Sequence, residues 1–294
     1  MKLSVIVCTR NRAQAIIPCL DSIASSLSRA RPIDAEIVVV DNASEDATSD
    51  VVRAWSATCD FPVNLLYESR KGRINARNSA FRAARGALLV WTDDDCRLDE
   101  SYVTNALRHD AQDTELVLRG GRIELGDPSD MPLTIKTDST PRRWTIGMRS
   151  ARREPLYRCI YGANMMMRRS LLDIVGPFDD RTNDDTDLVF RCYVAGITIE
   201  YAPDIVVYHY HGRKTPADAF KLLRLYETQV GMIYAKFLLR DIDLCRPMVW
   251  DLRNAVRELV ARKNIFLPEI GFSYKHLSYY NAVGALKYWL GQRI

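Results

Sequence analysis

Three aspartates, Asp93, Asp94 and Asp95, stand side by side just after the apolar run "ALLVW" (87–91). Adjacent carboxylates repel, and each is costly to desolvate unless a cation answers it. Asp93 and Asp95, two apart, make a DxD pattern suited to a hard cation such as Mg2+ or Mn2+, which takes carboxylate oxygens together with substrate phosphates. The stretch "ESRKGRINARN" (68–78) gathers Arg70, Lys71, Arg73 and Arg77, donors that match a diphosphate. Its plainer reading is a basic, exposed helix face. In "RTNDDTDLVFR" (181–191) three acids fall in four positions. Asp184 and Asp187 suit a helix N-cap and its third residue, and Asp187 can pair with Arg191 one turn on. Asp185 is surplus to that cap, and a carboxylate facing a cleft can serve as a general base. His209 and His211 are two of only four histidines. They are read as facing opposite sides of a strand, so that at most one joins a cluster.

Those groups need a scaffold that brings distant segments to one edge. The first ninety residues alternate strand and helix signals. "LSVIVC" (3–8), "EIVVV" (36–40), "VNLLY" (63–67) and "ALLVW" (87–91) are short, apolar and mostly β-branched, the pattern of strands buried on both faces. Helical stretches lie between them near 13–29, 46–58 and 73–85, the last stopping at Gly86. Such alternation implies a parallel sheet with right-handed crossovers, whose strands all end at one edge, where ligands bind. "TRNR" (9–12), "DNASED" (41–46) and "DDD" (93–95) follow three of those strands, so one rim collects a threonine, arginines and five aspartates. A helix N-cap would explain Asp41 or Ser44 singly; three aspartates exceed what one cap uses. Beyond Asp99 the pattern predicts a helix to about Gln112, a strand over 115–125, a long mobile loop over 126–158 and a strand over 162–169. A short helix over 170–176 capped by Ser170, an amphipathic helix from Asp184 to Gly196 and two short strands over 197–211 come next. The remainder, from about Pro216, reads as helical.

The chain has 294 residues, 47% apolar and 27% charged, the composition of a soluble globular protein. No apolar run approaches the ~18 residues of a membrane span. The opening "MKLSVIVCTRNRA" is too short an apolar run for a signal peptide and is broken by Arg10 and Arg12, so a cytoplasmic protein is expected. Seven scattered cysteines with no CxxC pair suggest neither a disulfide framework nor a zinc site. The net charge of +4 is uneven: residues 212–294 carry 14 Lys/Arg against 7 Asp/Glu, and the rest 27 against 30. The plain meaning of the basic third is a solvated helical face; the sharper one is attraction to an anionic membrane surface or lipid phosphate.

The stretches "LSVIVCTRNR", "EIVVVDNASED", "GRINARNSAFRAARGALLVWTDDDC", "YGANMMMRRSLLDIVGPFD" and "NDDTDLVFRCYVAGITIEYAPDIVVYHYH", in that order over residues 1 to 212, resemble glycosyltransferase family 2. The resemblance implies an α/β GT-A type fold, a Rossmann-like, mostly parallel sheet flanked by helices. Residues 1–212 would be its nucleotide-sugar-binding and catalytic domain, and 213–294 a helical C-terminal extension. It implies an inverting hexosyl transfer from a nucleotide-diphosphate sugar to an acceptor hydroxyl, in polysaccharide, cell-surface glycan or glycolipid synthesis, with Mn2+ or Mg2+ as cofactor. By position, Thr9 and Asp41 would line the nucleoside pocket, with Arg10 and Asn42 beside them. Lys71 and Arg77 would stand near the nucleoside and diphosphate, Asp93 at the ribose with Asp94 next to it, and Asn164 near the sugar or acceptor. Asp95 would hold the metal with Asp93, and His209 or His211 would complete that site. Asp185 matches the catalytic base, and Asp184 stands where the family usually has glutamate, one methylene longer. A UDP-sugar is the default donor and a dTDP-sugar the alternative; the acceptor would be a glycan or a lipid-linked intermediate.

Rival readings have their own signatures. A dinucleotide-dependent oxidoreductase would want G-x-G-x-x-G after the first strand, where this chain has the glycine-free "CTRNRAQ". A metal-dependent nucleotidyltransferase would release pyrophosphate, and the glycine-rich basic loop it usually carries is missing. A non-catalytic nucleotide-sugar-binding protein would have no use for surplus acids. No nucleic-acid partner is expected, while peripheral contact with an anionic membrane and self-association both remain compatible with the sequence.

Overall fold

The computed structural model describes residues 1–145, 155–179, 182, 184–240, 244 and 246–292. One sheet organises it. Strands β1 (Leu3–Thr9), β2 (Ala35–Asp41), β3 (Val63–Tyr67) and β4 (Leu88–Asp93) are the four apolar runs, all parallel, in the spatial order β3-β2-β1-β4. The sheet continues through β8 (Asn164–Arg168), β6 (Val117–Leu125), β9 (Thr198–His209) and β5 (Cys96–Leu98). β8 runs antiparallel to both its neighbours, and β6 and β9 are again parallel. The expected mostly parallel sheet flanked by helices, with a helical C-terminal region, is thus the observed architecture.

Strand alternation builds two cores from one sheet. Val5, Val7, Ile37, Val39 and Val90 point to the face covered by α1 (Ile17–Arg29), α2 (Thr48–Ser56) and α4 (Tyr102–Gln112). Ile6, Val38, Val40, Leu89 and Trp91 point to the face covered by α3 (Arg73–Ala83), α5 (Ser170–Val175), α6 (Asp184–Val194) and α7 (Pro216–Phe237). Burial on both faces is why β1, β2 and β4 are mostly apolar rather than half polar.

Several local expectations change. α3 ends at Ala83, before Gly86, because Ala84 is already extended. Ser170 is the first residue of α5 and makes no capping hydrogen bond; the N-cap position is Arg169. In place of the two strands expected over 197–211 there is one, Thr198–His209, but its ladder slips between Gly121 and Arg122, where Pro203, Asp204 and Ile205 are looped out of register. A proline cannot donate to a ladder, which explains the break the sequence suggested. The segment expected as a mobile loop is anchored over its described part: β7 (Arg142–Trp144) pairs with β9, Ile123 bridges to Lys136, and Trp144 is buried. Residues 146–154 of that segment lie outside the described residues.

The C-terminal region is helical. α7 starts cleanly, with the Thr215 hydroxyl accepting from Asp218 N (3.2 Å) and Pro216 in the first turn. α8 (Arg246–Ala261) follows, and α9 (Tyr274–Trp289) opens with a capping box between Ser273 and His276. α9 packs directly on α7 through two glycines. A β-carbon at Gly231 would lie 2.0 Å from Asn281 O, and one at Gly284 1.9 Å from Thr228 O. Gly284→Ala therefore forces the helices apart, and overpacking of this kind costs about 1–3 kcal/mol. The urea midpoint should fall accordingly; an unchanged or higher midpoint would show that the contact yields easily.

Candidate functional site

The register of the parallel strands aligns the site. Thr9 lies beside Asp41, and Cys8 beside Asp93, at the carboxyl edge of the sheet. The three aspartates that follow are each given a different partner. Thr9 Oγ1 donates to Asp94 Oδ2 (2.7 Å), and Arg12 reaches both Asp94 (3.2 Å) and Asp95 (3.3 Å). The β5–β9 pairing sets Cys96 opposite His209, which puts His209 Nε2 3.2 Å from Asp95 Oδ1. Arg77 Nη2, on α3, stands 3.7 Å from Asp93 Oδ1. The protein's own cations thus answer the repulsion that the sequence alone would assign to a bound metal.

Environment separates the three carboxyls. Desolvation pushes Asp94 up to about 6, against the pull of Arg12 and Thr9. Asp93 is raised for the same reason, with Arg77 opposing. Desolvation also acts on Asp95, but the His209 hydrogen bond and charge, helped by Arg12, hold it below the usual carboxylate range. His209 is raised in turn: burial disfavours its cation, and Asp95 more than restores it. Asp95, Cys96 and His209 bring potential ligand atoms within 4.8 Å of one another. Burial keeps the Cys96 thiol protonated, so the usable donors are carboxylate oxygen and imidazole nitrogen.

The second segment of the rim is a tied loop. Asp41 accepts from Ser44 N (2.9 Å) and from the Ser49 hydroxyl. Asn42 is buried and structural: its amide donates to Arg70 O (2.8 Å) and Glu68 O (3.2 Å) and accepts from Gly72 N (2.8 Å). It fastens the basic segment beneath α3 rather than facing a ligand. Arg10 and Lys71 are exposed and converge on Glu45, at 3.6 and 2.7 Å.

A cavity of about 300 Å3 opens beside Asp93 and His209. Arg73, Arg77, Gly162 and Asp185 form one wall; Leu222, Tyr226, Glu227, Phe266 and Leu267, from the C-terminal region, form another. Asp185 Oδ2 accepts from Gly162 N (2.7 Å) and Oδ1 from its neighbour Thr186 N (2.8 Å). A β-carbon at Gly162 would sit 2.5 Å from Arg77 Nη2 and 3.0 Å from Asp185 Oδ2, so any larger residue there would displace those two side-chain ends. Burial pushes Glu227 up to about 7, with Arg158 opposing. Asp94 and Asp95 face a separate hollow of about 250 Å3, shared with Arg12 and Tyr210.

Two further expected site residues, His211 and Asn164, fall elsewhere. The histidines do not face opposite sides: residues two apart share a strand face, and the rings stand edge to face with centroids 5.2 Å apart. Only His209 meets the aspartates, since His211 Nε2 lies 3.0 Å from Met131 O and its Nδ1 accepts from Arg213 N (3.0 Å). Asn164 is buried away from the cavity. Its Oδ1 accepts from Tyr102 OH (2.9 Å), and its Nδ2 donates to Arg122 O (2.9 Å) and Ile205 O (3.0 Å), tying β8 to the slipped ladder. Asp184 begins α6, and its side chain lies outside the described residues; Asp187 makes the expected pair with Arg191 (2.7 Å). The sequence reading missed Arg12 as the shared partner, and also Gly162, Arg158, Tyr226 and Glu227. Arg12 was in view within "TRNR", and Gly162 within "GAN"; the α7 residues carry no local signal. Asn164→Ala leaves three buried polar groups unmatched and should cost about 2–4 kcal/mol in urea unfolding. A loss below the scatter of the measurement would return Asn164 to the ligand-facing group.

Comparison with known proteins finds glycosyltransferases. AglE, a glycosyltransferase of Haloferax volcanii, is 26% identical over 234 residues, 78% of this chain and 71% of that protein. TarS of Staphylococcus aureus, a poly(ribitol-phosphate) β-N-acetylglucosaminyltransferase, is 23% identical over 283 residues, which is 88% of this chain but 47% of TarS. The TarS 1–349 structure with UDP-GlcNAc superposes with a TM-score of 0.57 at 19% identity, covering 99% of this chain and 93% of that one. The mannosyltransferase PcManGT of Pyrobaculum calidifontis, solved with GDP-Man and Mn2+, gives a TM-score of 0.67 at 21% identity, covering 99% and 88%. These structural likenesses are of fold. Residues 4–176, more than half of the chain, match the family model for glycosyl transferase family 2, and the chain belongs to that family.

Proposed function

We propose that this protein is an inverting glycosyltransferase that moves a hexosyl group from a nucleoside-diphosphate sugar to an acceptor hydroxyl, in polysaccharide, cell-surface glycan or glycolipid synthesis. The observation that carries the reading is Asp185. Two backbone N–H groups hold its carboxylate in the wall of the cavity that also receives Arg73, Arg77, Asp93 and His209. Oδ1 also accepts from the Thr186 hydroxyl (3.5 Å), while Oδ2 keeps a second lone pair that can accept a proton with the carboxylate still oriented.

In this reading Thr9 and Asp41 face the nucleoside, Asp93 the ribose, and Arg77 with Arg73 and Lys71 the diphosphate. The acceptor enters from the α7 side, past Tyr226 and Glu227. Asp185 takes the hydroxyl proton as the acceptor oxygen attacks C1, and the C1–oxygen bond to the diphosphate breaks on the opposite face. One displacement inverts C1 without a covalent enzyme intermediate. The guanidinium groups offset charge gathering on the departing diphosphate. Asp95 and His209 fit a divalent cation, because they already share one hydrogen bond that a cation would replace, and hard oxygen with imidazole suits Mn2+ or Mg2+; Asp93 would join them. What such an ion supplies when bound is Lewis acidity toward the same leaving group. The nucleotide sugars in the structures of PcManGT and TarS support the donor class; their bases differ, and uridine is retained as the default with thymidine second.

Three experiments test this reading. Asp185→Asn keeps size and removes basicity, so donor affinity should hold while transfer falls by roughly 10²- to 10⁴-fold; a dead Asp184→Asn beside an active Asp185→Asn would move the base by one residue. The released product should be a nucleoside diphosphate and not pyrophosphate. Calorimetric titration of UDP- and dTDP-sugars should show binding with Mn2+ that chelator or Asp95→Asn abolishes, and equal affinity in all three conditions would remove the metal.

A further inference from the structure

α8 is built inside out. A surface helix ordinarily buries its apolar stripe and exposes its charges. α8 instead buries Asp251, Asn254, Ala255 and Glu258, spaced as one helical face. Its outward side carries Val249, Trp250, Leu252, Val256, Leu259 and Val260, each more than half exposed, with Val260 at 81%. The inward acids explain how so polar a face is held. Glu258 Oε1 accepts from Ile265 N (2.8 Å) and Phe266 N (3.3 Å), and its Oε2 from Lys275 N (3.3 Å). Asp251 lies close enough to Arg158 for that charge to oppose the effect of burial on it.

The charges sort with the faces. Both acids of α8 point inward, while Arg246, Arg253 and Arg257 point outward, followed by exposed Arg262 and Lys263. α9, packed against α8, contains no acid, and it leaves Tyr279, Leu286 and Trp289 exposed. Among the described residues from 246 to 292, Glu269 is the one exposed acid. No helix of the described residues is long and apolar enough to cross a membrane. The surface is thus apolar and cationic together.

We propose that α8 is an interfacial helix that lies on an anionic bilayer, with Trp250, Leu252, Val256, Leu259 and Val260 at the headgroup–acyl boundary and Arg253, Arg257, Arg262 and Lys263 on the anionic headgroups. Apolar and cationic side chains interleaved on one exposed helix face suit such a surface. Charge complementarity selects it over a second copy of the chain. A self-contact through this face would set Arg253 and Arg257 of one copy against the same cations of the other, with no outward acid on α8 to answer them. The loop after α8 supplies Phe266 and Leu267 to the cavity wall, so docking would set the cavity beside the bilayer. The docking does not rest on the chemistry proposed above.

Co-sedimentation of the full chain with vesicles tests it. Phosphatidylcholine vesicles containing a third phosphatidylglycerol are compared with phosphatidylcholine alone, at low and high salt. Binding should favour the anionic vesicles at least 10-fold at low salt and fade at high salt. Arg253→Glu with Arg257→Glu should weaken it by roughly 30-fold or more, since each cation near such a surface is worth about a fivefold factor. Leu259→Ser with Val260→Ser should weaken binding to anionic vesicles with the charge intact. All four positions are exposed, and thermal unfolding reports whether the variants keep the fold. Wild-type protein that stays in the supernatant with anionic vesicles at low salt overturns the proposal. So does binding indifferent to both pairs of substitutions, or a lipid-free dimer in light scattering that either pair dissociates.

Discussion

The site depends on one constraint: three consecutive carboxylates at the end of a buried strand must each be met by a positive charge brought from elsewhere in the chain. Asp94 and Asp95 share Arg12 from the loop after β1, Asp95 also meets His209 from the end of β9, and Asp93 looks to Arg77 on α3. Those partners lie about 80 residues before, 115 after and 16 before the aspartates in sequence. Arg12 and His209 reach the acids only with β1 paired to β4 and β9 paired to β5 in the observed register. The acids therefore act as a check on the fold as well as an equipment of the site, since a slipped register would leave a buried charge unanswered.

The same arrangement bears on electrostatics. The four groups around Asp95 form a chain of alternating sign, Arg12 to Asp95 to His209, with Asp94 and Asp93 flanking it. Desolvation raises Asp93 and Asp94, while Asp95 is held low by its two cationic neighbours. Carboxyls adjacent in sequence thus come to differ in character through partner and burial alone. Identity of residue type says nothing of this, and the difference is made by residues brought in from elsewhere.

That contrast sets what could be read from the chain alone. The strands, the helices and the polar rim were legible because each is local: β-branched runs, helical spacing, and Asp, Asn or Thr at strand ends. Asp185 was legible as an acid beyond what a helix start uses. Other features depend on long-range packing and leave no local trace. Asn42 and Asn164 look like ligand-facing amides by residue type, yet the loops and the slipped ladder around them turn them inward. Tyr226 and Glu227 read as ordinary positions on a helix, and only the way α7 lies over the sheet's face brings them to the cavity. The histidine pair shows a simpler lapse, in which the strand period itself places both rings on one side.

Asp187, which pairs with Arg191, also takes part in a buried tie that governs how the chain could be divided. Asp187, two residues from Asp185 on α6, is wholly buried and receives Lys236 Nζ of α7 at 2.5 Å; Lys236 also meets Asp179 at 2.7 Å. A boundary drawn between residues 212 and 213 would therefore cut a buried ion pair at its cation, leaving a fully desolvated carboxylate beside the Asp185 turn with Arg191 as its remaining partner. Chimaeras that exchange helical C-terminal regions between relatives to alter what is modified would need to move position 236 together with positions 179 and 187. The unit of recombination in this chain is the α6–α7 pair, and its natural seam does not follow the edge of the sheet.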